Sequence, residues 1–314
     1  MDLEMLQKRA AIIRQIRSFF DNKNYLELDT PLLSGDLIPE SCLEVFQTSR
    51  LYPIGSKKES SPLWLIPSPE IWMKKIIAQH KVSVYQICKC FRNGESSGFL
   101  HNCEFTMLEY YTMNADYMDS LALTEELFVQ LNKNIVPFER ITVAGAFEKW
   151  AGFDLFAVAD EGAEAMADQA RKLGLEPMPG MTTPALYDLI FIHSVEPHLK
   201  AQKPVALLDY PAFVPCLAKK SPNGKTVERW ELYYNGIELA NCFTEESDPQ
   251  KVKEFFINEE AEKKRTAIVQ HKVDHDYWKT FQNFPHCSGA AMGLDRLIMA
   301  LTERSTIDSV LPFV

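Results

Sequence analysis

The sequence lacks any apolar run near the ~20 residues that a membrane-spanning helix needs. Its first residues, MDLEMLQKRAAIIRQ, show neither the apolar core nor the small-residue cleavage site of a signal peptide. There is no internal repeat, no low-complexity tract and no CxxC pair. The 7 cysteines are odd in number and irregularly spaced, a poor disulfide framework. Basic residues are also scarce: 33 Lys and Arg against 43 Asp and Glu give a net charge of −10. A broad phosphate-gripping face is therefore not expected, and a macromolecular partner would bring its own basic surface. These absences exclude the membrane, disulfide-scaffold and disordered classes, and a cytoplasmic location is expected. What is present is an ordinary globular composition, 46% hydrophobic and 24% charged over 314 residues, enough chain for a sizeable core.

Ile12, Ile13, Ile16, Phe19 and Phe20 recur at helical spacing and predict an N-terminal helix ending at Asp21–Asn24. Residues 25–31 alternate like a strand and stop at Pro31. The polar stretch 34–62, rich in Ser, Pro and Gly, predicts a long mobile connection. A short strand over 63–66, a helix over 71–79, and strands over 82–92 and 104–113 joined by a polar loop follow. Residues 116–135 and 142–202 carry mainly helical spacing. Strands are expected again at 205–209 and 213–217 and in a hairpin over 229–241. Then come a charged helix over 248–270, a Gly/Ala-rich turn at 288–293 and a last helix from Leu294. Strands near both ends with helices between them predict an α+β fold with a mostly antiparallel sheet.

Three segments carry groups suited to chemistry. In the hairpin, Asn235-Gly236 calls for a two-residue turn, which pairs Tyr233 with Glu238 and Glu231 with Ala240. Glu231 and Glu238 then lie diagonally on one face, roughly 7–8 Å apart at the backbone, and repel each other unless a cation sits between them. Mg²⁺ on nucleotide phosphates suits such a pair; the plain alternative is a solvated strand face. In the second segment, strand alternation puts Phe105, Met107, Glu109 and Tyr111 on one face: an aromatic platform, a carboxylate and a phenol in line. Arg92 at the preceding strand end is suited to phosphate or is simply solvated. In the third, Gly289-Ala290-Ala291-Met292-Gly293 leads into a helix with Arg296 in its first turn, either a phosphate site or close helix–sheet packing. Cys88-Lys89-Cys90 reads as strand thiols, because zinc sites want wider spacing and more ligands. His271 and His275 lie in a charged, solvated stretch.

Taken together, these segments resemble the catalytic core of class II aminoacyl-tRNA synthetases, in the lysyl branch. The N-terminal helix and the strand to Pro31 resemble motif 1, the dimer element. FRNGE…HNCEFTMLEYY resembles motif 2 and GAAMGLDRLIMAL resembles motif 3. PSPE (67–70), DYP…PCLAKK (209–220) and ELYYNGIELANCFTE (231–245) resemble the lysine-branch signatures in order. Motif 1 begins almost at Met1, which leaves no room for an anticodon-reading OB-fold. The chain thus resembles the truncated paralogues that attach lysine or β-lysine to elongation factor P. The resemblance implies one catalytic domain over 1–314, with a helical insertion at about 142–202.

It also implies ATP and Mg²⁺ as cofactors, lysine or (R)-β-lysine as substrate, elongation factor P as acceptor, a homodimer, and neither tRNA nor a membrane as partner. By resemblance, Arg92 and Arg296 are catalytic. The ATP set is Arg92, Asn93, Gly94, His101, Asn102, Phe105, Glu231, Leu232, Gly293 and Arg296. Arg92 would hold the α-phosphate, Phe105 would stack adenine, and Arg296 would clamp the γ-phosphate. Glu231 and Glu238 would hold Mg²⁺. The substrate set is Ser68, Pro69, Glu70, Glu109, Tyr111, Glu238, Asn241, Glu245 and Ala291. Ser68 and Glu70 would take the amine nearest the reacting carboxylate; Tyr111, Asn241 and Glu245 would take the distal one. Four positions depart from the family's pattern. Gly94 stands in place of Glu, with Glu95 beside it; Cys103 replaces Pro and Cys242 replaces Gly. Ala291 stands where lysyl-tRNA synthetases have Gly, and at that position elongation factor P ligases resemble this sequence instead.

Overall fold

The computed structural model describes residues 3–94, 98–135, 137–201 and 203–313. The chain divides into two compact units, one formed by residues 1–115 with 245–314 and one by 116–244. The first begins with α1 (Leu3–Asn22), β1 (Leu26–Glu27), β2 (Leu33–Ser34), β3 (Gln47–Leu51), β4 (Ser60–Leu65), α2 (Glu70–His80), β5 (Val84–Phe91) and β6 (Glu104–Met113). The second contains α3 (Tyr117–Leu131), β7 (Glu139–Thr142), α4 (Val143–Ala146), α5 (Leu155–Glu161), α6 (Ala163–Lys172) and α7 (Thr183–Ile190), then β8 (Val205–Pro211), β9 (Thr226–Tyr234) and β10 (Ile237–Thr244). The chain returns to the first unit with α8 (Pro249–Thr266), β11 (Cys287–Gly293) and α9 (Leu294–Leu301).

In the first unit the strands lie in the order β1-β5-β6-β11, with β1 parallel to β5 and the other pairs antiparallel. Alternation gives this sheet two different faces. Tyr85 and Tyr110 are directly opposite each other and point back onto α1, where Phe20 packs 4.8 and 5.0 Å from their ring centres. Arg9 of α1 also reaches the buried Asp295 at 2.6 Å, and Asp295 accepts the Thr106 N–H at 2.7 Å. With α1 on the back, the other face is left for polar side chains.

In the second unit the order is β10-β9-β8-β7, antiparallel except for β7 with β8. Its helices fold onto these strands around Phe147, Tyr187, Leu207 and Tyr233. Asp116 caps α3 by accepting from Met118 and Asp119, and the Asp119 side chain returns the bond. Trp230, fully buried, donates its indole N–H to the Tyr117 carbonyl. The α+β class and the mostly antiparallel sheets agree with the sequence. Among the described residues no helix is long and apolar enough to cross a membrane.

Three local expectations are corrected. Residues 34–62 are not a structureless connection: β3 and β2 flank β4 in a small antiparallel sheet around Leu37, Val45, Trp64 and Ile66. The strand expected at 213–217 is a turn and irregular chain after β8. The Gly/Ala run at 288–293 is no turn but strand β11, paired along β6 from Cys287–Met113 to Gly293–Met107. Glu95 lies outside the described residues.

Candidate active site

The open face of the first unit is laid out in rungs. Val84, Tyr111 and Gly289 stand abreast, then Gln86, Glu109 and Ala291, then Cys88, Met107 and Gly293, then Cys90 and Phe105. Directly opposed residues share a face, so these side chains form one surface. Small residues on β11 are required here. A Cβ at Gly289 would lie 2.3 Å from Glu245 Oε1 and 2.6 Å from Tyr111 Cε1.

A buried acidic cluster occupies one end. Glu70 opens α2 just after Pro69, and Lys74 follows one turn later on the same face. The fully buried Lys74 Nζ lies 2.5 Å from Glu70 Oε1 and 2.7 Å from Glu245 Oε2. Tyr111 donates to Glu109 Oε1 at 2.7 Å. Among the described residues Glu109 Oε2, Glu245 Oε1 and the buried Tyr277 hydroxyl have no hydrogen-bond partner. Burial pushes the Glu245 carboxyl up to about 7, although Lys74 pulls it down. Burial, and then the neighbouring Glu70, holds Glu109 well above the usual carboxylate range. Burial works against the Lys74 charge, but Glu245 and Glu70 outweigh it and hold the amine well above its ordinary value. Glu70, Glu109, Tyr111 and Glu245 are thus brought together as the sequence suggested.

The other end carries the guanidinium groups. Arg92 lies over the Phe105 ring, 5.2 Å from its centre, and among the described residues its buried Nε has no partner. Arg296 donates to the Leu100 carbonyl at 3.2 Å and meets His101 Nε2 at 2.6 Å, which places it against the polar loop. Asn93 serves the scaffold: its N–H and side-chain amide bond Glu44 and Val45 carbonyls, and its Oδ1 accepts the Gly94 N–H. A Cβ at Gly94, where φ is +69°, would touch Glu44, so glycine suits this turn. Ser68 and Asn102 are half-buried and Cys103 is exposed. Burial and the neighbouring Glu70 push Glu40 up to about 7, offset by Arg92, Lys263 and Lys74.

In the second unit the Asn235-Gly236 turn forms, with both residues at positive φ and Tyr233 opposite Glu238. The register beyond it differs from the expected one. A bulge at Leu239 pairs Ala240 with Leu232 and Asn241 with Glu231. The extra residue brings Asn241 onto the face of Glu231, Tyr233 and Glu238 and turns Ala240 away. Arg229 binds Glu231 Oε1 at 2.6 Å and Asn241 Oδ1 at 2.9 Å. Tyr210 and Tyr233 both donate to Glu231 Oε2, at 2.5 and 2.9 Å. Burial and the Glu231 charge hold both phenols above their ordinary range, so they remain donors. Leu232, fully buried, points to the opposite face, leaving only its main chain for a nucleotide. Cys242 is fully buried as well.

Carboxylate oxygens on one face match the donor chemistry of Mg²⁺. Glu231 Oε1 accepts one bond in this cluster and so keeps a lone pair for an ion. Among the described residues no group of three or more His, Cys, Asp or Glu could hold a metal.

Sequence reasoning missed Lys74, Gln86, Arg229, Tyr210, Tyr277 and the steric need for Gly289. Lys74 and Arg229 had signals, one helical turn after Glu70 and two strand residues before Glu231. The others depend on pairing and packing.

The whole pattern has counterparts. Residues 2–314 match the family model described as tRNA synthetases class II (D, K and N). The chain is 35% identical to the elongation factor P--(R)-beta-lysine ligase of Vibrio atlanticus, over 99% of this chain and 95% of that protein. It is 34% identical to the proteins of the same name from Histophilus somni strain 2336 and Haemophilus influenzae strain PittGG, with the same coverage.

Proposed function

The chain belongs to the class II tRNA synthetase family, and from that premise we propose that it is an ATP-dependent ligase that lysylates elongation factor P. The relatives bearing that ligase name support the reading. Within the structure one observation carries it. Glu70 and Glu245 flank the buried ammonium of Lys74 and Glu109 lies nearby, with acceptor oxygens left open on Glu109 and Glu245 among the described residues. Buried carboxylates need cations to offset their desolvation. The acceptor oxygens left open on Glu109 and Glu245 suit the ammonium groups of a diamino acid such as lysine or (R)-β-lysine.

In the first step an oxygen of the amino acid carboxylate attacks the α-phosphorus of ATP. The bond from that phosphorus to the bridging oxygen breaks, and pyrophosphate leaves. In the second, the ε-amine of an acceptor lysine attacks the acyl carbon, the bond to AMP breaks, and the amine loses a proton to solvent. No covalent enzyme intermediate is needed, so the residues act by positioning and charge. Arg92 holds the α-phosphate while Phe105 stacks the base. Arg296, steered by His101 and Leu100, clamps the γ-phosphate. Glu70 orients the amine near the reacting carboxylate, and Glu109, Tyr111 and Glu245 hold the distal one. Glu231 and Glu238 would hold Mg²⁺, which when bound neutralises phosphate charge.

The test is ATP–pyrophosphate exchange with L-lysine and (R)-β-lysine, followed by intact-mass analysis of elongation factor P and acceptor assays with tRNA. Exchange plus a gain of one lysyl mass on the protein is expected. Exchange with lysine but transfer to tRNA alone would replace the acceptor, and no exchange with either amino acid would remove the reading.

A further inference from the structure

Gln86 is 1% exposed, yet among the described residues its Oε1 has no hydrogen-bond partner and its Nε2 has at most the thiol of Cys88. It stands on the open face, directly opposite Glu109, whose Oε2 is equally unsatisfied. The Cys88 sulfur can accept from the amide N–H, but sulfur is a weak partner and the carbonyl Oε1 gains nothing from it. Leaving a buried amide unpaired costs free energy that an apolar residue of the same shape would avoid. Such a group is retained where something else completes its bonds.

We propose that Gln86 is a substrate-recognition residue whose carbonyl takes one hydrogen of the distal ammonium of the diamino acid. This rests on the ligase reading and extends it. A primary ammonium has three hydrogens. Three acceptors near this end of the cluster, Glu109 Oε2, Glu245 Oε1 and Gln86 Oε1, are without a hydrogen-bond partner among the described residues. Two carboxylates and one neutral amide satisfy all three hydrogens. A carboxylate in place of Gln86 would add a further buried negative charge beside Glu109 with no cation to balance it. The amide completes the geometry while leaving the charge count unchanged.

The test compares the wild type with Gln86→Met, which matches the shape without the polar atoms. Binding of L-lysine and of norleucine, which lacks the distal amine, is measured by calorimetry, and KM for lysine and for ATP by pyrophosphate exchange. Lysine affinity is expected to fall about ten- to hundredfold, the worth of one hydrogen bond to a charged group. Norleucine affinity and the ATP KM stay unchanged, and the melting temperature is unchanged or higher. Unchanged lysine binding, or equal losses for lysine and norleucine, overturns the proposal. Should the Met variant fail to fold, Gln86→Asn serves instead. It keeps the amide but withdraws it by one methylene, and wild-type lysine affinity in that variant also overturns the proposal. The wild-type exchange reaction reports on the ligase reading separately. Exchange without sensitivity to Gln86 sinks only this inference; a wild type that binds no lysine sinks both.

Discussion

The two units each bury a glutamate cluster, and the clusters are finished to different degrees. Glu231 meets a guanidinium and two phenols, all donors, within its own unit. Around Lys74 the balance is the reverse: Glu70 and Glu245 both pair with this lysine, Glu109 lies beside them, and acceptor oxygens stay open among the described residues. A saturated cluster stabilises its unit as it stands, whereas an unsaturated one costs stability until a ligand completes it. The difference separates a carboxylate already met by donors on both oxygens, with a lone pair to spare on Oε1, from carboxylates with an oxygen that meets no donor among the described residues.

The largest effect should come from removing the one cation of the unsaturated cluster. Lys74→Met leaves the buried Glu245 and the half-buried Glu70 without this counter-charge, and denaturant unfolding should show a loss of about 3–5 kcal/mol. Adding Glu245→Gln should restore part of it. A Lys74→Met protein as stable as wild type would mean that the two glutamates are already neutral.

Neutralising one acid in each unit sharpens the contrast. Glu109→Gln removes a charge that burial already disfavours, so stability holds or rises while lysine-dependent exchange falls at least a hundredfold. Glu231→Gln takes a charged acceptor from Arg229, Tyr210 and Tyr233, and should cost about 1–3 kcal/mol of stability. If both variants lose equal stability, the saturated and open clusters are not different in kind.

The pH dependence tests the same point more gently. Glu245 is raised from 4.5 to about 7 by burial. With the folded value above the unfolded one, the empty protein binds the extra proton, and its stability falls as pH rises from about 4.5 to about 7. Lysine needs the ionised carboxylate, so its affinity should tighten as pH rises through about 7. Calorimetric titrations between pH 5.5 and 8.5 would show this, and Glu245→Gln should flatten the curve. An affinity that weakens with rising pH would place the relevant proton elsewhere.

How much of this was legible in the sequence depended on whether a signal was local. The face carrying Phe105, Met107, Glu109 and Tyr111 follows from alternation alone, and the strand spans 104–113 as read. The run Gly289–Gly293 looked like a turn because Gly and Ala are poor strand formers. It is a strand because Tyr111 and Glu245 crowd the space a side chain would fill. The small sheet within residues 34–62 was hidden by short, mostly exposed strands with no apolar alternation. Lys74 could have been found from the i, i+4 relation to Glu70. Gln86 could not, since its meaning comes from the register that sets it against Glu109.

The hairpin gives the smallest and most local test of what the sequence can specify. Asn235-Gly236 correctly marked the turn, with φ of 53° and 76°. It did not set the pairing beyond Glu238, because the bulge at Leu239 moves Asn241 opposite Glu231. Asn235→Ala removes the short polar side chain that lets asparagine tolerate the left-handed region and should cost about 1 kcal/mol of stability. Asn235 is exposed, and the Arg229 bonds to Glu231 and Asn241 lie on the far side of the bulge, so the exchange rate should not change. Unfolding and exchange measured on the same preparation decide it. A rate that falls along with stability would show that the turn, rather than the bulge and its arginine clamp, fixes the register of the Glu231 cluster.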